Sequence, residues 1–203
     1  MREEEERVNT LEDLGEQAKG CTLCPLSQSR TQVVFGAGNH RARIMFVGEA
    51  PGYHEDLKGE PFVGSAGRLL SELLENIGMK RTDVYIANVI KCRPPGNRNP
   101  LPEEIESCKP YLLKQIELIK PKIVCTLGNF STQLLLKKKV GVSKLRGQSF
   151  QVDGYVVVPM YHPAAALHQG GLLVSLKEDF SYLKTLLEAG IEPTRVSEQM
   201  TLF

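Results

Sequence analysis

The 203-residue chain has no apolar run approaching the ~18 residues that a membrane-spanning helix needs, so no membrane span is expected. It has no excess of charge either. Lys and Arg number 25 against 24 Asp and Glu, a formal net of +1. That excludes a uniformly basic nucleic-acid coat and leaves room only for a local basic face. No Gly-Lys-Ser/Thr phosphate loop occurs, which argues against a nucleoside triphosphatase. Neither an internal repeat nor a low-complexity block is present. Met1-Arg2 is followed by Glu3 to Glu6, which is neither the basic start nor the apolar stretch of a secretory leader, so a cytoplasmic location is expected. The five cysteines are an odd number for a disulfide framework and suit a reducing compartment.

What the chain does have is enough apolar side chains, 41% of residues, to fill one core. One domain over residues 1–190 is expected, followed by a flexible tail over 191–203 with no packing period. Leu11, Leu14 and Ala18 suit a short amphipathic helix. Arg43–Val47, Val84–Ile90, Lys122–Leu127 and Gly154–Met160 read as four strands. Between and after them, helical spacing runs over Ala66–Ile77, onward from Pro102 or Glu103, over Asn129–Leu136 and over Leu172–Glu188. Strands alternating with helices imply a three-layer α/β/α fold around a central four-stranded, mostly parallel sheet. Ligands of such sheets bind at the carboxyl ends of the strands. The residues at or just after those ends are Glu49, Asn88, Asn129 and His162. Any one of them suits a turn or a cap, and convergence of three of the four is the hypothesis to test.

Three constellations carry chemistry. Cys21 and Cys24 form a Cys-x2-Cys pair, and Cys92 and Cys108 follow with fifteen residues between them. Four thiolates suit zinc or a [4Fe–4S] cluster. A zinc ribbon would show a second tight knuckle, and a larger cluster tolerates the wide separation better. Cys125, inside the third strand, reads as a small core residue. The second constellation is Gly48-Glu49-Ala50-Pro51-Gly52, with Glu55 and then Glu60-Pro61-Phe62-Val63-Gly64 beyond it: glycine turns that let backbone approach a ligand, flanked by carboxylates and one aromatic ring. The third is His162-Pro163-Ala164 after the last strand.

Together these residues, in this order, resemble the family 4 uracil-DNA glycosylases, the iron–sulfur branch of the uracil-DNA glycosylase superfamily. The resemblance spans Cys21 to Glu188. Gly48–Gly52 is similar to the first active-site motif of that family and His162-Pro163-Ala164 to the second. The resemblance implies a [4Fe–4S] cluster on Cys21, Cys24, Cys92 and Cys108. It also implies a uracil site formed by Glu49, Ala50, Pro51, Glu55, Phe62, Asn88 and His162.

The implied reaction is hydrolysis of the bond between uracil and deoxyribose after the base is flipped out of DNA, the first step of base excision repair. Phe62 would stack on the uracil. Asn88 would accept from N3–H and donate to O4, a pattern that cytosine reverses. His162 would donate to the developing negative charge on O2. Glu49 and Glu55 would stabilise the cationic sugar and orient the water. In the best-known branch of the superfamily an Asp stands at the position of Ala50 and a bulky aromatic at that of Gly52. Water activation therefore falls to Glu49 or Glu55, and thymine exclusion to Tyr53 or Glu55. Phosphate contacts are expected from Lys91, Arg93, Arg98, Lys137, Lys138, Lys139, Lys144 and Arg146, and a DNA wedge from Leu167.

Competing readings are a covalent uracil-capturing branch, disfavoured because Lys144–Gln148 carries no histidine, an iron–sulfur electron carrier, and an inactive DNA-binding scaffold. The protein is expected as a monomer associated with the nucleoid. The tail Gln199-Met200-Thr201-Leu202-Phe203 is similar to peptides that bind the bacterial β sliding clamp, with Gln199 at the rim and Leu202 and Phe203 in an apolar pocket.

Overall fold

The computed structural model describes residues 10–189. Gln199, Leu202 and Phe203 of the clamp-like tail lie outside the described residues. Six strands form one sheet: β1 (Ala37–Gly38), β2 (Ile44–Gly48), β3 (Tyr85–Asn88), β4 (Ile123–Leu127), β5 (Phe150–Val152) and β6 (Tyr155–Met160), in the order β1-β3-β2-β4-β6-β5. The four inner strands are parallel, and β1 and β5 pair antiparallel at the two edges. The expected sheet of four is thus the inner part of a sheet of six. The edge strands are two and three residues long, too short to leave a periodic signal.

The inner strands are apolar without a break because both faces are covered. Alternate residues of β2 go opposite ways. Met45 and Val47 pack with helices α1 (Leu11–Lys19) and α4 (Pro102–Ile119), alongside α5 (Asn129–Leu136). Ile44 and Phe46 pack with α3 (Ser65–Asn76) and α8 (Gly170–Glu188). Phe46 stacks on Phe180 at 5.7 Å between ring centroids, fixing α8 to that face. Cys125 is fully buried in β4, as its core reading requires.

Three short helices were not anticipated: α2 (Tyr53–Lys58), α6 (Val142–Leu145) and α7 (Pro163–His168). At four to six residues they fall below the length at which periodicity is readable. Two of them border the strand ends where the candidate residues lie. Among the described residues no helix is long and apolar enough to cross a membrane.

The close approach of α3 to the preceding loop depends on one glycine. A Cβ on Gly67 would lie 1.7 Å from the carbonyl oxygen of Phe62. Gly67→Ala is therefore expected to cost about 1–3 kcal/mol, roughly 3–10 °C in Tm by calorimetry. An unchanged Tm would mean that the Phe62 carbonyl is free to move off the helix.

Candidate active site

The carboxyl ends of β2, β3 and β6 open into one cavity of about 600 Å³. Glu49, Asn88 and His162 all line it, together with Ala50, Pro51, Glu55 and Phe62. Asn129 does not. Its Oδ1 accepts from the amide of Val142 at 2.8 Å, a loop-closing bond beside α5. Three of the four strand-end residues therefore converge.

Asn88 ends β3 and pairs in register with Gly48 of β2. It is buried, and its Oδ1 has no hydrogen-bond partner. A buried unpaired acceptor costs about 1–3 kcal/mol, a deficit that a ligand N–H would remove. Gly48 makes the arrangement possible. A Cβ there would come within 2.4 Å of Asn88 Oδ1 and 2.7 Å of the Phe62 ring.

Phe62 is buried with φ of 55°, a left-handed conformation that costs a non-glycine residue about 1–3 kcal/mol. Its surroundings hold it there. Glu55 Oε1 accepts from the amides of Val63 and Gly64 at 2.9 and 3.0 Å. The Arg81 guanidinium donates to the Pro61 carbonyl. Two hydrogen bonds, about 0.5–1.5 kcal/mol each, offset the strain. One oxygen of Glu55 is thus committed to the loop that carries Phe62. Its other oxygen faces Gly52, where a Cβ would lie 2.8 Å away. This anchoring work of Glu55 was not legible in the sequence, because it depends on α2.

His162 caps α7. Its Nδ1 accepts from the amide of Ala164 at 3.1 Å. A nitrogen that accepts from an N–H carries no proton, so the proton of the neutral ring is on Nε2. Burial lowers the His162 pKa to about 4, against which the carboxylate of Glu55 pulls only weakly. The ring is neutral at neutral pH and is a donor through Nε2. It stands 5.5 Å from the Phe62 ring, the two planes 24° apart. Gly128, at φ +90°, gives it room: a Cβ there would lie 3.3 Å from His162 Cβ. Burial also raises the pKa of Glu49.

At the rim, Tyr53 lines the cavity with the Arg93 guanidinium 5.1 Å over its ring. Arg98 lines it too, paired with Glu104 at 2.6 Å. Leu167 is exposed on α7, outside the cavity wall. Two expected phosphate donors are corrected. Lys91 is buried, its ammonium bonded to the Asn88 carbonyl and to Gln115. Arg146 is engaged by Glu178 at 2.9 Å and Asp179 at 3.0 Å. Lys137, Lys138, Lys139 and Lys144 remain exposed.

The four cysteines Cys21, Cys24, Cys92 and Cys108 line a second, smaller cavity with Arg30, Lys91 and Tyr111. Arg30 donates to Cys92 Sγ at 3.3 Å and the Lys91 amide to Cys108 Sγ at 3.2 Å. Among the described residues no three Cys, His, Asp or Glu side chains gather closely enough to hold a single metal ion.

Residues 35–186 match the family model of the uracil-DNA glycosylase superfamily. The chain belongs to that superfamily. It is 43% identical over 187 residues to the type-4 uracil-DNA glycosylase of Archaeoglobus fulgidus, covering 88% of this chain and 94% of that protein. Over 197 residues it is 45% identical to the type-4 enzyme of Sulfurisphaera tokodaii, covering 93% and 88%. Over 163 residues it is 48% identical to that of Thermotoga maritima, covering 79% and 85%. The superfamily match takes in both cavity motifs and reaches the last turn of α8, and it begins beyond Cys21 and Cys24.

The two shifted groups give the cavity a definite pH behaviour. A rate that needs Glu49 ionised should fall in acid along a limb displaced above the ordinary carboxylate value, and Glu49→Gln should remove that limb. His162 changes charge only near pH 4, so it should leave the neutral range flat. Stability follows the same shift. Between His162's ordinary 6.5 and about 4 the unfolded chain binds more protons, so stability should fall as pH drops through that window. His162→Ala should weaken this dependence in denaturation measured at pH 7 and pH 5.

Proposed function

We propose that this chain is a uracil-DNA glycosylase, which flips uracil from DNA and hydrolyses its N-glycosidic bond to leave an abasic site. The observation that carries the reading is the buried, unpartnered Oδ1 of Asn88, set in the same cavity as Phe62 and a neutral His162. Oδ1 would accept from uracil N3–H while the side-chain amide donates to O4. Cytosine lacks the N3 hydrogen, which leaves the acceptor buried and unpaired. Phe62 would supply the stacking face.

The C1′–N1 bond breaks with its electron pair leaving on uracil, and charge develops on O2. His162 Nε2–H would donate there. A water oxygen bonds to C1′ as its proton passes to a base. Glu49 suits that base best, since its raised pKa strengthens it as an acceptor and Glu55 is already bonded to the loop. Glu55 would act mainly by holding Phe62, and with Tyr53 it narrows the side of the cavity that Gly52 leaves open. Leu167 would wedge into the gap in the stack. Arg93, Arg98, Lys137, Lys138, Lys139 and Lys144 would meet phosphates.

The donor set fits an iron–sulfur cluster. The four cysteines line one cavity, and two of their sulfurs already accept N–H bonds as cluster thiolates do. When bound, the [4Fe–4S] cluster would supply crosslinks, tying the segment after α1 to the loop after β3 and to α4. Purified protein should be brown with about four irons per chain, set by the four-thiolate donor set. One zinc in colourless protein would refute the assignment. Residues 1–190 would form the single catalytic domain, working as a cytoplasmic monomer on nucleoid DNA, and the tail would dock on a bacterial β sliding clamp. Deleting residues 199–203 should abolish clamp binding in a pull-down and leave excision on short oligonucleotides unchanged.

The activity itself is tested on a uracil-containing oligonucleotide under single-turnover conditions. His162→Ala and Asn88→Ala should each slow excision by ~10²–10³. Asn88→Asp should gain measurable cytosine excision, because a carboxylate accepts from the cytosine amino group. Wild-type rates in folded His162→Ala protein would overturn the assignment.

A further inference from the structure

Lys91 is a buried cation in the layer between the two cavities. It is 2% exposed, and all of its polar groups are engaged. Its Nζ donates to the Asn88 carbonyl at 2.8 Å and to Gln115 Oε1 at 2.6 Å. Its amide donates to Cys108 Sγ at 3.2 Å, and its carbonyl accepts from the Val34 amide at 2.8 Å. Gln115 is fixed in turn, donating to the Phe35 carbonyl at 2.9 Å and to the Tyr85 hydroxyl at 3.3 Å. One residue therefore touches the backbone of the uracil-reading Asn88 and the sulfur of a cysteine.

Both acceptors of the ammonium are neutral. A buried charge without a counter-charge is costly, and lysine is rarely fully buried unless paired. A methionine of similar length would fill the space without that cost. The negative charge that would compensate Lys91 would be that of a cluster held in the cavity it shares with Cys21, Cys24, Cys92 and Cys108. Four thiolates around a [4Fe–4S] core leave such a charge. The same cation then has a second use. It grips the carbonyl at the end of β3, and so fixes where Asn88 leaves the strand.

We propose that Lys91 is a positioning residue that joins the two sites, balancing the charge of the thiolate site while holding Asn88 for uracil. This rests on the uracil-glycosylase reading above. Lys91 touches no substrate and acts only through Asn88. The link accounts for a cysteine site separate from the uracil cavity: its charge would retain the lysine that positions Asn88.

The test is Lys91→Met in the full-length, iron-loaded protein. Single-turnover excision of uracil should slow about tenfold or more. Affinity for an abasic-site oligonucleotide, which offers no base to Asn88, should stay within about twofold. The reduction potential of the cluster, followed by voltammetry, should move negative, because a nearby cation favours the reduced form. Wild-type excision with an unmoved potential would overturn the proposal. So would a rate that falls only in proportion to lost iron, which would make Lys91 a packing residue.

If Lys91→Met fails to fold or to hold iron, Gln115→Leu provides the second measurement. It frees one side of the ammonium, contacts no cysteine and keeps the charge. Excision should slow several-fold at full iron content, and wild-type excision in this variant would overturn the proposal. Failure of the underlying reading looks different, since the unaltered protein would then leave uracil in DNA whatever stands at position 91.

Discussion

The parallel pairing of Gly48 with Asn88 is the constraint on which the rest of the cavity depends. Adjacent parallel strands bring these two residues side by side at the carboxyl end of the sheet. Because position 48 has no side chain, the Asn88 amide and the Phe62 ring can both occupy the space beside it. Glu49 then leaves β2 at the cavity edge. The strained Phe62 is held by Glu55 from the short helix that follows. A methyl group at position 48 would collide with Asn88 Oδ1 and with the Phe62 ring at once. That geometry makes the glycine a positional requirement of the site rather than a loop convenience.

The inner sheet and the order of its helices are legible in the sequence because buried parallel strands are uninterrupted apolar runs, each ending at a turn. The strand ends were legible for the same reason, and with them Glu49, Asn88 and His162. What escaped is of two physical kinds. Elements of two to six residues, such as β1, β5, α2 and α7, are too short to show a period. Side-chain pairings distant in sequence leave no local trace. Lys91 lies beside Cys92 and two residues before Arg93, so from sequence it belongs to a basic run facing phosphates. In the fold its chain direction turns it inward to Gln115. Arg146 is withdrawn in the same way by Asp179, 33 residues away. The role of Glu55 was half legible: its place in the cavity follows from the motif, but its bonds to Val63 and Gly64 depend on the fold of the loop.

The cavity keeps its histidine neutral, and magnitudes show how that would serve the proposed chemistry. With a pKa of about 4, protonating His162 at pH 7 would cost about 4 kcal/mol. An imidazolium would attract the leaving uracil anion more strongly, but the enzyme would first have to bear that cost. In the proposed reaction a neutral ring with its Nδ1 already bonded to Ala164 would need no reorganisation as charge developed on O2. Preorganised donors of this kind are worth about 2.7–4 kcal/mol. The same apolar walls act oppositely on Glu49. They raise its pKa, weakening its hold on charge and strengthening its hold on a proton. One environment thereby keeps His162 a neutral N–H donor and gives Glu49 a stronger hold on a proton.

Two independent connections tie the cysteine segment to this cavity. The first runs through Lys91 to the backbone of Asn88. The second runs through Asp56, a buried carboxylate of α2 that accepts from the Thr31 amide at 2.9 and 3.1 Å. Thr31 lies seven residues beyond Cys24, and Asp56 is the neighbour of Glu55. The segment that follows Cys24 therefore also anchors the helix whose carboxylate holds Phe62. The Asn88 amide and the Phe62 ring, which share the space beside Gly48, are each braced from the cysteine side. An opening there would loosen both, because neither Asn88 nor Phe62 holds its position by local propensity. Asn88 carries an unpaired acceptor and Phe62 a left-handed backbone, and each persists only while its neighbours enforce it.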